Sequence, residues 1–318
     1  MRILVTGAAG FVGHTLVQRL LKDGLAGQPV DQLVLMDLAF AEPPSDTRVT
    51  QFAGSIADPA LRQRALVEPV DVVFHLASCP GGLAEKNYAL GRSINLDASL
   101  GLLEDLRVQP KPARFVFASS VAVYGANLPA VVDEATQPAP ALSYGTHKLM
   151  VEALVADATR LGWVQGCSLR VPGVVARPGE GAGLLSAFMS QLFWRLRDGQ
   201  PITVPVSARG QAWWISVGAC VDNLLQAACI APDRLDARRV YQMPALHLAV
   251  AEVVDALAAR FGVDRQALVA YAPDAQIERL FASFPPLLTP RAASLGFVDD
   301  GDVELLVHRV VNAQQVST

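Results

Sequence analysis

The 318-residue chain is short of lysine, with four against 22 arginines, and its formal net charge of −4 leaves no basic excess for nucleic acid or an anionic membrane. Its four cysteines, Cys79, Cys167, Cys220 and Cys229, show no C-x-x-C spacing and no companion histidine cluster. That excludes a zinc site or a disulfide framework and points to a reducing, cytoplasmic setting with no bound metal. No apolar run is long enough to read as a membrane span. The longest uncharged stretch, Phe115 to Val132, is interrupted by Ser119, Ser120, Gly125, Asn127 and Pro129, and reads as a buried strand followed by a loop. Arg2 ahead of an apolar run imitates a secretion signal, but glycines punctuate the run and no cleavage-type segment follows, so a strand and a turn fit better. Internal repeats and low-complexity tracts are missing too.

What remains is a well-packed globular composition, 52% hydrophobic and 18% charged, long enough for a core domain with a smaller appendage. Short apolar runs bounded by turn residues recur at 2–6, 32–36, 49–52, 70–76 and 114–118, each reading as a strand buried on both faces. Helical patterns lie between or after them at 12–22, 59–67, 88–106 and 143–161, and a sixth strand follows at 165–171. Strand alternating with helix predicts an α/β fold, a doubly wound parallel sheet of Rossmann type with right-handed crossovers. After Arg170 the pattern changes: Pro172, Gly173, Pro178, Gly179, Gly181 and Gly183 crowd together before a helix at 184–198, and further helices are expected at 250–261 and 302–312. The expected division is a dinucleotide-binding domain at 1–170, with 213–242 returning to it, and a substrate-binding lobe of 171–212 and 243–318.

Three short pieces carry chemistry. Glycines 7, 10 and 13 let the chain turn tightly out of the first strand, so that the backbone N–H groups around Phe11 and Val12 can approach a pyrophosphate. Asp37, ending the second strand, is placed to accept both ribose hydroxyls and would repel a 2′-phosphate, which favours NAD over NADP. Tyr144-Gly145-Thr146-His147-Lys148 is the third piece, and a Tyr-x-x-x-Lys in this composition has a chance expectation of about 0.06. Four apart on a helix, the two side chains share a face. A tyrosine working as a base near neutrality needs its pKa lowered by about three units, roughly 4 kcal/mol, which a neighbouring ammonium and a cationic nicotinamide would help to supply.

Together with Ser120, these residues resemble the extended short-chain dehydrogenase/reductase family, the group that includes sugar-nucleotide epimerases and dehydratases. The likeness covers essentially the whole chain. Its Gly-x-x-Gly-x-x-Gly stands at Gly7 to Gly13, its acid at Asp37, its His-Leu-Ala at His75-Leu76-Ala77, and its Ser-Ser-x-x-Val-Tyr-Gly at Ser119 to Gly125. The resemblance implies a catalytic set of Ser120, Tyr144 and Lys148, and cofactor contacts from Leu76, Ala77, Ser119 and Asn95. It implies others from Ser55 and Ile56, where Ser55 replaces the usual aspartate, and from Pro172, Gly173 and Val174 at the nicotinamide. Within the family, segments 71–77, 142–148 and 169–179 are similar to the branch that oxidises C2 of small sugar acids such as D-erythronate with NAD. That branch usually carries an arginine where Gln211 stands, and Arg209 is the candidate substitute.

Sugar-nucleotide enzymes of the family usually hold the diphosphate with an arginine near the start of the segment that here reads Ala212-Trp213-Trp214-Ile215-Ser216-Val217. Losing that partner forfeits charge-assisted hydrogen bonds of roughly 1.5 to 3 kcal/mol apiece, which favours a small, free polyhydroxy acid. Cys79, Ser120, Arg177 and Trp213 are the candidate substrate contacts, with Arg177 as a carboxylate clamp. His75 and His147 are given no role. A homodimer paired through helices 88–106 and 143–161 is expected. The rival readings are an NAD-dependent nucleotide-sugar 4-epimerase and a non-catalytic NAD-binding sensor on the same fold.

Overall fold

The computed structural model describes residues 1–179 and 185–313, so Gly181, Gly183 and the expected helix start at Leu184 lie outside the described residues. The chain runs β1 (Arg2–Thr6), α1 (Phe11–Asp23), β2 (Gln32–Asp37), β3 (Val49–Ala53), α2 (Pro59–Ala65), β4 (Val72–His75), α3 (Gly81–Lys86), α4 (Tyr88–Arg92), α5 (Ala98–Leu106), β5 (Ala113–Ser120), α6 (Ser143–Arg160) and β6 (Val164–Val171). It continues through β7 (Gly173–Val175), α7 (Ala187–Arg197), β8 (Ile202–Val204), β9 (Gln211–Ser216), α8 (Val217–Cys229), β10 (Val240–Gln242), β11 (Leu246–Ala249), α9 (Val250–Phe261) and β12 (Val269–Tyr271).

Seven strands form one sheet in the order β10-β6-β5-β4-β1-β2-β3. Parallel pairing joins β3 to β2, β2 to β1, β1 to β4 and β4 to β5. The strand order reverses at β1, and in such sheets ligands bind beyond the carboxyl ends of the strands at that point. The central strands are mostly apolar because helices cover both faces, with polar residues such as Thr6 and His75 at their carboxyl ends. Leu4, Val34, Val73, Phe115 and Phe117 pack with Leu102, Leu103 and Leu106 of α5 and with Val151, Val155 and Ala158 of α6.

The chain divides into two compact units. The first comprises Met1–Val123, Pro140–Arg170 and Val221–Tyr241; the second comprises Tyr124–Ala139, Val171–Cys220 and Gln242–Thr318. Against the expected division, 124–139 and 213–220 group with the second unit. That unit has its own three-stranded sheet, β11-β9-β7, and its own apolar core built on Phe188, Leu192, Phe193, Trp214 and Leu257.

Local chemistry explains the helix boundaries. Asp58 caps α2 by accepting from Ala60 N at 2.9 Å, with Pro59 in the first turn, and Gly24 ends α1 at φ +71°. The expected single helix at 88–106 is instead α4, a π turn at Ser93–Asp97, and α5. No periodic pattern announces such a turn. Its centre, Asn95, is buried and side-chain bonded to the Cys79 backbone, which favours the wide turn over a regular one.

Helix α6 carries two charged residues on its core face, Lys148 and Glu152, in line with Val151, Val155 and Ala158. Glu152 lies in a two-point ion pair with Arg170 of β6, at 2.9 and 2.8 Å, and accepts from Ser119 Oγ of β5 at 2.5 Å. The triad stitches α6 to two strands. Removing one member of a buried pair leaves the other charge uncompensated. Glu152→Gln is therefore expected to lower stability by about 3 kcal/mol or more, measured by chemical denaturation, whereas Arg160→Gln, on an exposed pair with Asp157, is expected to change it by less than about 1 kcal/mol.

Candidate active site

The turn after β1 is tied down by Met36 O, which accepts from Gly7 N at 2.8 Å and from Ala8 N at 3.3 Å. Gly7 has φ +71°, and a Cβ there would meet Ala77 N at 2.8 Å. A Cβ on Gly13 would sit 2.0 Å from Gly7 O. Both positions thus require glycine, and α1 opens at Gly10 without a side-chain cap on its first N–H groups, with Phe11 and Val12 in its first turn. These residues fit the pyrophosphate of a dinucleotide.

Asp37 accepts from Ala9 N at 2.9 Å and from Leu38 N at 2.7 Å, so its carboxylate is already held against the glycine-rich turn. Each oxygen retains a further lone pair for a hydroxyl donor. Ser55 Oγ accepts from Ala57 N at 3.2 Å, while Ile56 is buried with its carbonyl accepting from Arg62 at 2.9 Å.

Ser120, Tyr144 and Lys148 come together at the carboxyl end of β5. Ser120 ends β5, and Tyr144 stands in the first turn of α6, four residues before Lys148. Lys148 Nζ donates to Ala118 O at 2.6 Å and lies 4.7 Å from the Phe117 ring centroid and 5.5 Å from that of Tyr144. Burial holds the Lys148 ammonium down to about 7, opposed by the negative charge of Glu152. Burial pushes the Tyr144 phenol above its ordinary value, with the Ser120 and Ser78 hydroxyls pulling the other way. The lysine alone does not supply the lowering that an ammonium and a cationic nicotinamide together are expected to give: an ammonium titrating near 7 is in part neutral at that pH, and desolvation of the phenol outweighs the pull of the serine hydroxyls.

A hydrogen-bond chain backs this cluster. Ala77 N donates to Thr6 Oγ1 at 3.2 Å, and Thr6 Oγ1 meets His75 Nδ1 at 2.7 Å. On the other side of the ring, His75 Nε2 meets Ser99 Oγ at 2.9 Å, which in turn donates to Asn95 O at 2.9 Å. Because Ser99 gives its only proton to Asn95 O, His75 carries its own proton on Nε2 and accepts from Thr6 on Nδ1. Burial, with the Lys148 charge added, keeps this ring neutral by holding its pKa at about 3. Asn95 Oδ1 accepts from Cys79 N at 2.6 Å, and Asn95 Nδ2 donates to Cys79 O at 3.0 Å. Asn95 therefore clamps the segment after β4.

The other expected contact residues are placed as follows. The Ser119 hydroxyl gives its proton to Glu152, leaving its oxygen lone pairs and its backbone for other partners. Cys79 is buried, with its thiol raised by desolvation. Trp213 is corrected from a substrate contact to a core residue of the second unit: its indole N–H donates to Pro285 O at 2.7 Å and its ring stacks on Phe284 at 4.7 Å. Arg177, also in the second unit, is exposed, with its N–H on Ser190 Oγ and its carbonyl accepting from Trp194 Nε1. Pro172, Gly173 and Val174 belong to that unit as well, Gly173 and Val174 pairing with Trp214 and Ile215. Sequence reasoning missed Glu152 and Arg170. A charged residue on an apolar helical stripe, one turn beyond Lys148, was the available sign for Glu152.

Gly13→Ala is expected to displace the turn and to weaken NAD binding at least about tenfold, read by calorimetric titration, because the added methyl collides with backbone rather than with a movable side chain.

Residues 3–242 match the NAD dependent epimerase/dehydratase family. The chain is 36% identical over 313 residues to the D-erythronate dehydrogenase of Cupriavidus necator, covering 96% of this chain and 97% of that one. To the protein of the same name from Haemophilus influenzae it is 28% identical, covering 98% and 99%. A crystal structure described as the nucleoside-diphosphate-sugar epimerase from Agrobacterium tumefaciens superposes with a TM-score of 0.93 at 32% identity, over 100% of this chain and 95% of that one. A seven-stranded Rossmann-type sheet, a glycine-only turn at its reversal point and similarity along nearly the full length place this chain in the NAD-dependent epimerase/dehydratase family.

Proposed function

We propose that the protein is an NAD-dependent dehydrogenase that oxidises a secondary hydroxyl of a small sugar acid, the C2 hydroxyl of a D-erythronate-like substrate, with Tyr144 as general base. The observation that carries the reading is the convergence of Ser120, Tyr144 and Lys148 at the carboxyl end of β5, with the lysine ammonium 5.5 Å from the tyrosine ring centroid. The near-full-length likeness to proteins named D-erythronate dehydrogenase supports the substrate class.

In this reading Gly7, Gly10, Phe11, Val12 and Gly13 hold the pyrophosphate and Asp37 the adenosine ribose. Ser55 and Ile56 flank the adenine, Leu76, Ala77, Asn95 and Ser119 line the cofactor's path, and Pro172, Gly173 and Val174 meet the nicotinamide carboxamide. Bound NAD supplies the hydride acceptor. Tyr144 takes the proton from the substrate hydroxyl, Ser120 hydrogen-bonds the same oxygen, and Lys148 binds the nicotinamide ribose and favours the phenolate when charged. Cys79 forms a small wall beside the substrate, and Arg177 is the carboxylate partner.

A second reading, a nucleotide-sugar 4-epimerase, is favoured by the Agrobacterium tumefaciens structure. An epimerase returns the hydride and shows no net NADH. The chain's own residues favour the first reading, because Ala212–Val217 offers no arginine for a diphosphate and its two tryptophans are buried.

The molecule is further proposed to form a homodimer through α4, α5 and α6. Leu83, Tyr88, Leu90, Leu100 and Met150 are large apolar side chains left exposed on and beside these helices. Four cysteines without C-x-x-C spacing or a companion histidine cluster favour a reducing, cytoplasmic compartment, and no described helix is long and apolar enough to cross a membrane.

With NAD and a panel of four- to six-carbon sugar acids, NADH formation is expected from the wild type, with kcat lowered by about 10²- to 10⁴-fold in Tyr144→Phe. Absence of net NADH across the panel, with epimerised product from a nucleotide sugar, would instead establish the second reading. Since the phenol titrates above its ordinary value, kcat/KM for oxidation is expected to climb with pH from 7 to 9, by up to about tenfold per unit, while that for the reverse reduction falls. Sedimentation analysis is expected to show a dimer for the wild type and a shift toward monomer for Met150→Glu combined with Leu100→Glu.

A further inference from the structure

Helix α6 carries Tyr144 in its first turn, where backbone N–H groups have no partner inside the helix. The helix supplies no cap of its own: Leu142 at the cap position makes no side-chain hydrogen bond, and the first turn holds no acidic residue. The partner comes from α3, 58 residues earlier in the chain. Glu85 Oε1 accepts from Ser143 N and from Ser143 Oγ, each at 2.7 Å, and Glu85 Oε2 lies 3.1 Å from the same hydroxyl. We propose that Glu85 is a positioning residue for Tyr144: from α3 it caps the first turn of α6 and so fixes the phenol relative to Lys148 and the end of β5.

The clamp has two points, one helical turn apart. Gly81 and Glu85 stand four apart in α3 and share a face. At Gly81 the helix backbone lies against the tyrosine itself, where a Cβ would be 3.6 Å from Tyr144 Cβ and 3.7 Å from its Cγ, both ordinary contact distances. At Glu85 the carboxylate grips the residue that leads into Tyr144. The helix that does this is anchored at its own base. Asn95 holds both the N–H and the carbonyl of Cys79, and Pro80 O accepts from Leu83 N at 3.0 Å and from Ala84 N at 2.9 Å, so α3 rises from a fixed point. Ala84 is buried against α4, where a Cβ on Gly91 would meet Ala84 Cβ at 2.7 Å, and the Tyr88 ring of α4 lies 5.6 Å from that of His147 on α6.

A carboxylate suits this place. Ser143 offers it two donors on one residue, and the positive end of the α6 dipole favours a negative charge. Such bonds are charge-assisted and hold a first turn against fraying more firmly than a neutral cap does. What that turn holds matters for proton transfer. A base must stand within hydrogen-bond reach of the proton it takes, and a displacement of about 1 Å costs on the order of a hundredfold in rate. Lys148 does not depend on the clamp, because it lies one turn deeper and is held by Ala118 O at 2.6 Å. Loss of Glu85 therefore frees the tyrosine and leaves the lysine in place.

The inference rests on Tyr144 as the proposed base, and its first test needs no substrate. The protein is labelled with fluorotyrosine, and the fluorine NMR signal of Tyr144 is the one missing from Tyr144→Phe. That signal is expected to stand apart from free fluorotyrosine in the wild type and to broaden and move toward the free value in Glu85→Ala. It is expected to return most of the way in Glu85→Gln, which keeps an acceptor, while the signals of Tyr241 and Tyr271 stay where they are. Ser143→Ala, which keeps the N–H donor, is expected to move it less in the same direction; where Tyr241 and Tyr271 move as well in Glu85→Ala, marking a general loss of structure, Ser143→Ala decides. An unmoved Tyr144 signal overturns the inference whatever the substrate proves to be. With a sugar acid that yields NADH, kcat is expected to fall about ten- to a hundredfold in Glu85→Ala with KM for NAD within about twofold of wild type, and an unchanged kcat overturns the positioning role. Activity that survives in Tyr144→Phe overturns the proposed base instead. A moved signal in a protein that oxidises no sugar acid leaves Glu85 assigned and overturns only the substrate reading.

Discussion

An ammonium group on the core face of a helix must be met by acceptors or by opposite charge, and Lys148 is met by both. The Ala118 carbonyl takes its proton at 2.6 Å, and Glu152 supplies a negative charge one helical turn away. The same carboxylate is bound by Arg170 and Ser119, so one buried cluster fixes α6 against β5 and β6. Every group of the candidate centre is registered to it. Tyr144 lies one turn before Lys148 on the same helix, and Ser120 is two residues beyond Ala118 on the same strand. The arrangement also explains the unusual protonation behaviour, because the protein excludes water from the ammonium while leaving it partial electrostatic compensation.

Much of the fold was legible because the parallel sheet is written in short, local apolar runs. The strands around Leu4, Val34, Val73 and Val116, and the helices between them, follow from residues that are neighbours in sequence. What escaped was what is too short to show a period or depends on distance along the chain. Helix α3 is a single short turn region without a periodic stripe, and the three-residue strands β7 and β8 are too brief for a period of two to show. The assignment of 124–139 to the second unit follows from pairings such as Val132 with Leu287 and from Glu134 accepting the backbone N–H groups of Arg291 and Ala292. No local pattern encodes those.

The site divides along the same line. Gly7, Gly13, Tyr144 and Lys148 stand in contiguous motifs whose spacing implies their geometry. Glu152 and Arg170 belong to the same centre but reach it from two different elements, and only tertiary structure brings them together. Trp213 shows the opposite failure. A tryptophan in a segment associated with substrate binding looked functional, yet its ring area and its N–H are both satisfied within the core.

The π turn at Ser93–Asp97 makes this stretch of chain sensitive to frame in a way that ordinary helices are not. A π turn takes up one more residue than an α turn, which advances the helical phase by about 100°. The faces of α4 and α5 are consequently out of step, and Asn95 lies at the step itself, turned toward Cys79 while Ser99 reaches back to its carbonyl. A one-residue deletion here would give a more regular helix and a worse protein: the geometrical irregularity is what lets a single helical segment serve both the hydrophobic interior and the clamp on the segment after β4.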